Sequence, residues 1–187
     1  MVWATTANDD WREIESLLVR LRASVADICP HGASTEAIES LEKRLGRPLP
    51  SDLTRWLGLC DFLSSAGGEL LSADLDVMRI DESYRIVSVH HPRDWLPIGS
   101  DGCGGYYFVS LDHRFGNGYP VFFFDVAERL EAPSFVVSSS IPKFLRFVLA
   151  AETFTEREDP PWPFDRAYVV ELDPDIEHVP LTMPWEH

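Results

Sequence analysis

Residues 99–105, Gly-Ser-Asp-Gly-Cys-Gly-Gly, crowd four glycines, a serine, an aspartate and a cysteine into one turn. Glycine-rich turns can cradle a phosphate, and a serine on a sharp turn can serve as a nucleophile. Neither pattern is completed here. The turn lacks the Gly-Lys-Ser/Thr ending of a phosphate loop, and Asp101 would repel an anion. Ile98 stands two residues before Ser100, where a nucleophile elbow needs glycine. His90 and His91 are adjacent, so on a strand they would point to opposite faces, and no Cys or His spacing fits a zinc site. His113 stands alone in a loop. No catalytic, cofactor-binding or metal-binding set emerges. Asp101, Asp112 and Asp125 remain, at turns and strand ends. They either cap turns through their side chains or form one acidic cluster facing a partner. With Glu69, and with Tyr106 and Trp56 as aromatic anchors, they make up the candidate partner-binding set.

The charge supports a protein partner rather than a nucleic acid. The net charge of −15 opposes phosphate contacts, which need a basic surface. The last 37 residues carry 10 acids and 2 bases, so they supply −8 of it. Acidity serves solubility in most acidic proteins; the sharper expectation is a face for a basic partner. On that expectation, residues 153–187 could be removed with most of the long-range field and without loss of the core. No apolar run reaches the length of a membrane span, and the N-terminus lacks the basic and apolar regions of a signal peptide. Cys29, Cys60 and Cys103 are scattered, which reads as reduced, mostly buried thiols in a cytoplasmic protein. At 187 residues the chain suits one domain with extensions.

The elements that must position these residues follow from periodicity. Trp11, Ile14, Leu17, Leu18, Leu21 and Val25 predict a helix over 9–28, with Asp10 and Glu13 at capping-box spacing. A second helix spans Thr35–Leu45, closed by Gly46, and a third starts near Ser51, which would cap it, and breaks by Gly67-Gly68. Short strands are expected at Leu70-Leu71 and 76–80, and residues 84–89 fit helix or strand equally. Residues 95–99 and 105–111 read as strands around the glycine turn. Tyr107, Val109 and Leu111 share one face, and Tyr106, Phe108 and Ser110 share the other. Both faces are bulky, so this strand is expected to be central. Pro120–Asp125 completes a hairpin with it, after a loop containing Asn117-Gly118. A strand at 134–138 leads into a helix capped by Ser139 or Ser140 and striped by Ile141, Phe144, Leu145, Val148 and Leu149. Glu156–Pro163 reads as an extended linker, Arg166–Leu172 as one more strand, and the remainder as irregular.

Four segments in order resemble the SMI1/KNR4 (SUKH) family over residues 34–150. They are Ile38-x-x-Leu41-Glu42-x-x-Leu45-Gly46-x-x-Leu49-Pro50-x-x-Leu53; the 95–112 segment; Val121-Phe122-Phe123-Phe124-Asp125; and Ser134–Val137 followed by Ile141-x-x-Phe144-Leu145. The resemblance implies an α+β fold, with helices packed around a mixed, strongly bent β-sheet. It divides the chain into an N-terminal helical extension (1–33), the family-like domain (34–150) and an acidic, proline-containing C-terminal extension (151–187). It implies a non-enzymatic binding protein without cofactor or metal. Bacterial members of the family look like immunity proteins that bind and block a toxin, often a nuclease, and the partner expected here is a basic toxin domain. The alternative is a regulatory scaffold linked to cell-wall (glucan) synthesis or signalling.

Overall fold

The computed structural model describes residues 7–25, 28–29, 31–65, 68–74, 78–89, 91–113, 115, 118–125, 132–152 and 162–186. The strand reading at 76–77, the turn residue Asn117, His90, Gly67 and the linker reading at 156–161 lie outside them. The helices are α1 (Ala7–Ser24), α2 (Thr35–Leu45), α3 (Ser51–Leu59), α4 (Ile80–Val87), α5 (Ile141–Ala151) and α6 (Arg166–Leu172). The strands are β1 (Leu63–Ser65), β2 (Gly68–Leu70), β3 (Trp95–Ser100), β4 (Gly105–Ser110), β5 (Val121–Asp125) and β6 (Phe135–Ser138). Two 3-10 helices, Pro174–His178 and Pro184–Glu186, close the chain.

The six strands form one sheet in sequence order, every neighbouring pair antiparallel. The α+β class is as expected, but the sheet is not mixed. Neighbouring strands follow one another in the chain, and among the described residues only the β2–β3 link carries a helix, so no parallel crossover is imposed there.

β4 lies at the centre with both faces covered. On one face Tyr107 pairs with Phe123, and its ring meets Phe144 of α5 at 5.0 Å and Trp162 at 6.0 Å. On the other, Phe108 stacks on Phe122, and Trp95, Phe124 and Val87 of α4 complete a separate aromatic cluster. Buried His91 sits inside that cluster, stacked on Trp95 and edge-on to Phe124 at 4.1 Å. Tyr107 and Val109 are buried as expected, whereas Leu111 lies past the end of β4 and is half-buried.

α2 has the predicted bounds. Ser34 accepts the Ala37 N–H at its start, and Gly46 ends it at φ 72°, a left-handed conformation that favours glycine. Several other expectations are corrected. Val25 is exposed beyond the end of α1. Asp10 is no cap: it lies inside α1, buried, bonded to Lys143 at 3.1 Å and to Arg146. The residue before α3 is Pro50 rather than a capping serine, and the helix ends at Leu59. Residues 80–87 are helical. Arg166–Leu172 is a helix, not a strand, because Asp165 accepts the Tyr168 N–H and opens it.

The segments flanking the family-like region share its hydrophobic core. Trp11, Ile14, Leu17 and Leu21 of α1 join it from one side, and Trp162, Val169, Ile176 and Met183 from the other. Lys143 ties them together, donating from Nζ to Asp10 of α1 and to the Leu172 carbonyl of α6 at 2.7 Å. Removing residues 153–187 would therefore open the core, so the charge of this segment has to be tested by substitution.

The cysteines also differ from expectation. Cys29 and Cys60 form a disulfide with Cα atoms 5.6 Å apart, while Cys103 is exposed. Arg22 clamps the junction, donating to the carbonyls of Cys29 and Leu59. With 31 residues of sequence separation, loop closure contributes about 3–4 kcal/mol in the chain-entropy account. Reductant should lower the melting temperature of the oxidised protein by about 10 °C. An unchanged melting curve in calorimetry would contradict that.

Asp173 is fully buried and anchors the start of α5, accepting the Ser139 backbone N–H at 2.7 Å and the Ser139 hydroxyl. Burial raises its carboxyl above the ordinary aspartate range, against the lowering pull of Ser139 and Lys143. A folded value above the unfolded one contributes stability that is fullest in acid and is lost as pH rises through the folded value. The stability advantage of wild type over Asp173→Asn should therefore shrink between about pH 4 and about pH 7. Urea unfolding across that range measures it, and an advantage that widened with pH would contradict the assignment.

Candidate functional site

Register decides which of the candidate residues meet. Glu69 of β2 pairs with Ser100 of β3, Ser100 with Tyr106 of β4, and Tyr106 with Phe124 of β5. Gly105 pairs with Asp125 one step along, and Asp101 follows Ser100 into the turn. Glu69, Asp101, Tyr106 and Asp125 therefore share one end of the sheet, with Glu69 and Tyr106 on one face and Asp101 and Asp125 on the other, because Gly105 and Asp125 are one residue out of step with Tyr106 and the Asp101 carboxylate lies against Gly105. At about 4.8 Å per strand, they spread over roughly 15 Å. All four are half-buried. The Tyr106 hydroxyl reaches the sulfur of Met78 at 3.9 Å, and Met78 is exposed, so an apolar spot lies on the Glu69 face of this end.

Asp112 is not part of this group. It lies beyond the opposite end of β4, exposed, and accepts the Ser110 hydroxyl. The single three-aspartate cluster anticipated from the sequence is split, because Asp101 precedes β4 and Asp112 follows it. Trp56 is not a contact residue either. It is 1% exposed in the core of α3, and its indole N–H finds no acceptor among the described residues.

Asp101 has a structural duty as well. Its Oδ1 accepts the backbone N–H groups of Cys103 and Gly105, both at 2.8 Å, and its own N–H donates to the Gly105 carbonyl. This closes the turn while leaving the carboxylate half-exposed. Gly105 must be glycine here: a Cβ would lie 2.1 Å from the Phe123 ring and 2.8 Å from the Asp101 carboxylate. Burial first, then the Asp101 charge, push the Tyr107 hydroxyl well above its ordinary pKa. Asp125 donates its N–H to the Ser134 hydroxyl at 3.3 Å, which fixes the start of β6 against the end of β5.

Among the described residues no group of three or more His, Cys, Asp or Glu side chains could hold a metal ion. No described helix is long and apolar enough to cross a membrane. The arrangement offers fixed negative charge on both faces of one sheet end, with a half-buried tyrosine on one of them, which suits recognition of a cationic surface.

The two aspartates should separate in mutagenesis. Asp101→Ala leaves two turn N–H groups without their acceptor and should cost about 1–3 kcal/mol of stability. Asp112→Ala removes the acceptor of one buried hydroxyl, that of Ser110, and should cost less, about 0.5–1.5 kcal/mol. Chemical denaturation of both variants measures this, and equal effects would refute the assigned turn role of Asp101.

No curated protein matches the chain. A crystal structure of a protein from Pseudomonas syringae pv. tomato is similar to it at 18% sequence identity, covering 58% of this chain and 81% of that one, with a TM-score of 0.47. Residues 32–146, more than half of the chain, match the SMI1 / KNR4 family (SUKH-1). They take in α2 to the middle of α5, the whole sheet and the acidic sheet end, and the chain belongs to that family.

Proposed function

We propose that this chain is a non-enzymatic immunity protein that binds a basic toxin domain and blocks its access to substrate. The observation that carries the reading is the gathering of Glu69, Asp101 and Asp125 at one end of the sheet, with Tyr106 and Met78 on the Glu69 face. An apolar anchor beside the Glu69 carboxylate matches part of the anatomy of a hot spot: the anchor supplies affinity, and the charges on both faces supply orientation. The net charge of −15 adds a long-range field of the same sign. Opposite fields speed capture, which matters when a single free toxin molecule is harmful.

The reading places the protein in the cytoplasm. Fractionation of native cells tests the location. Affinity capture from the same cells tests the partner, and a basic toxin domain should be recovered.

Association with the captured partner should then depend on salt. The on-rate is expected to fall at least tenfold as ionic strength rises from about 0.01 M to about 0.15 M, where the Debye length shrinks to about 8 Å. Asn substitution of Asp101 and Asp125 keeps an acceptor oxygen while removing charge, and should raise the off-rate if these residues touch the partner. Stopped-flow binding measures both rates. A rate independent of salt would remove the electrostatic reading.

A further inference from the structure

The C-terminal segment, which lies beyond the family match, builds most of a groove against the approach to β6. Thr182 lies alongside the outer edge of the sheet, its carbonyl accepting the Val136 N–H of β6 at 3.0 Å. The chain then turns through Pro184–Glu186, and an open groove of about 820 Å³ is left between this turn and the Ala132-Pro133 approach to β6. Pro133, Leu181 and Trp185 give it an apolar wall, and all three are half-buried. Ala132 is exposed at one side.

The groove is acidic around this wall. Glu177 and Glu186 line it, and Arg166, the single base of residues 162–186, is already matched by Glu177 at 2.7 Å. The same stretch contains six acids. It also adjoins the acidic sheet end, because Asp125 is bonded to Ser134, next to Pro133. An apolar wall under carboxylates selects against an acidic or purely polar occupant and favours an apolar group carried between cations.

We infer that this groove docks a short segment of a basic protein, one that presents a single apolar side chain between lysine or arginine residues. The inference rests on the proposed basic partner and assigns it a second point of attachment, supplied mostly by residues beyond the family match.

The test titrates three peptides against the isotope-labelled full chain: Lys-Arg-Leu-Arg-Lys, Lys-Arg-Ser-Arg-Lys and Glu-Glu-Leu-Glu-Glu, each with blocked ends. The leucine peptide should saturate and shift the Trp185 indole and the Thr182 and Met183 amides. The serine peptide should bind at least about tenfold more weakly for want of the apolar side chain, and the acidic peptide should not bind. Ala132→Trp fills the groove from an exposed position. It should leave the melting temperature unchanged and weaken the leucine peptide at least about tenfold. Equal binding of the two basic peptides, shifts confined to Glu69, Asp101 and Asp125, or full binding by Ala132→Trp would each overturn the groove. So would self-association in sedimentation that buries Trp185, since a second copy would then be the occupant. If the groove fails while capture of a basic partner remains salt-dependent, only this inference falls. If the partner proves not to be basic, the function reading falls with it.

Discussion

A strand apolar on both faces cannot stand at a sheet surface, and β4 is such a strand. Burying Tyr107 and Val109 on one side demands α5 and Trp162; burying Phe108 on the other demands α4, Trp95 and the residues around His91. Each cover recruits further elements. α5 is itself apolar nearly all round and has to be wrapped by α1, α3 and the C-terminal segment. The fold is thus built outward from six residues. The glycine turn before them matters because it lets β3 return at the right register.

Burial of charge follows from the same geometry. Wrapping α5 on every side leaves Lys143 no path to solvent, so its ammonium is matched by Asp10 and by the Leu172 carbonyl. A buried ion that loses its partner is expensive, and this one specifies which two segments must meet there. The acids at the sheet end behave differently. They are half-exposed, cost little to keep charged, and leave their fields directed outward.

Much of the architecture was legible in the sequence because it rests on local periodicity. The stripe of α2 and its closing Gly46, the alternation of β4 and the apolar run of α5 each declare one element on their own. What was not legible depends on distant residues. β1 is three residues long and is a strand only because β2 pairs with it. Arg166–Leu172 alternates weakly enough to resemble a strand, and the helix signal lay in the preceding Asp165, whose side chain caps it. Trp56 looked like a possible anchor because a helical stripe does not say what covers it. The three aspartates looked like one cluster because their spacing in sequence does not show that a strand separates them. Of the candidate site, Glu69, Asp101, Asp125 and Tyr106 were found by residue type, but their alignment required the register. The groove beside Trp185 left no sequence signal, since its residues fall in what reads as an irregular tail. The nearness of Cys29 and Cys60 is likewise a product of α1 docking against α3.

The tie made by Lys143 has a consequence in time. Its two partners sit near opposite ends of the chain, and Arg146 reaches Asp10 across 136 residues. The ribosome releases Asp10 long before Leu172, Ile176 and Met183. A nascent chain therefore holds α1 and α5 for a time without the layer that seals them, and the core cannot close until those later residues have emerged. Contacts of such long range slow folding further. For a protein proposed to neutralise a toxin, protection would begin only after this delay, so the pool of completed molecules, rather than the rate of new synthesis, would set how safe the cell is.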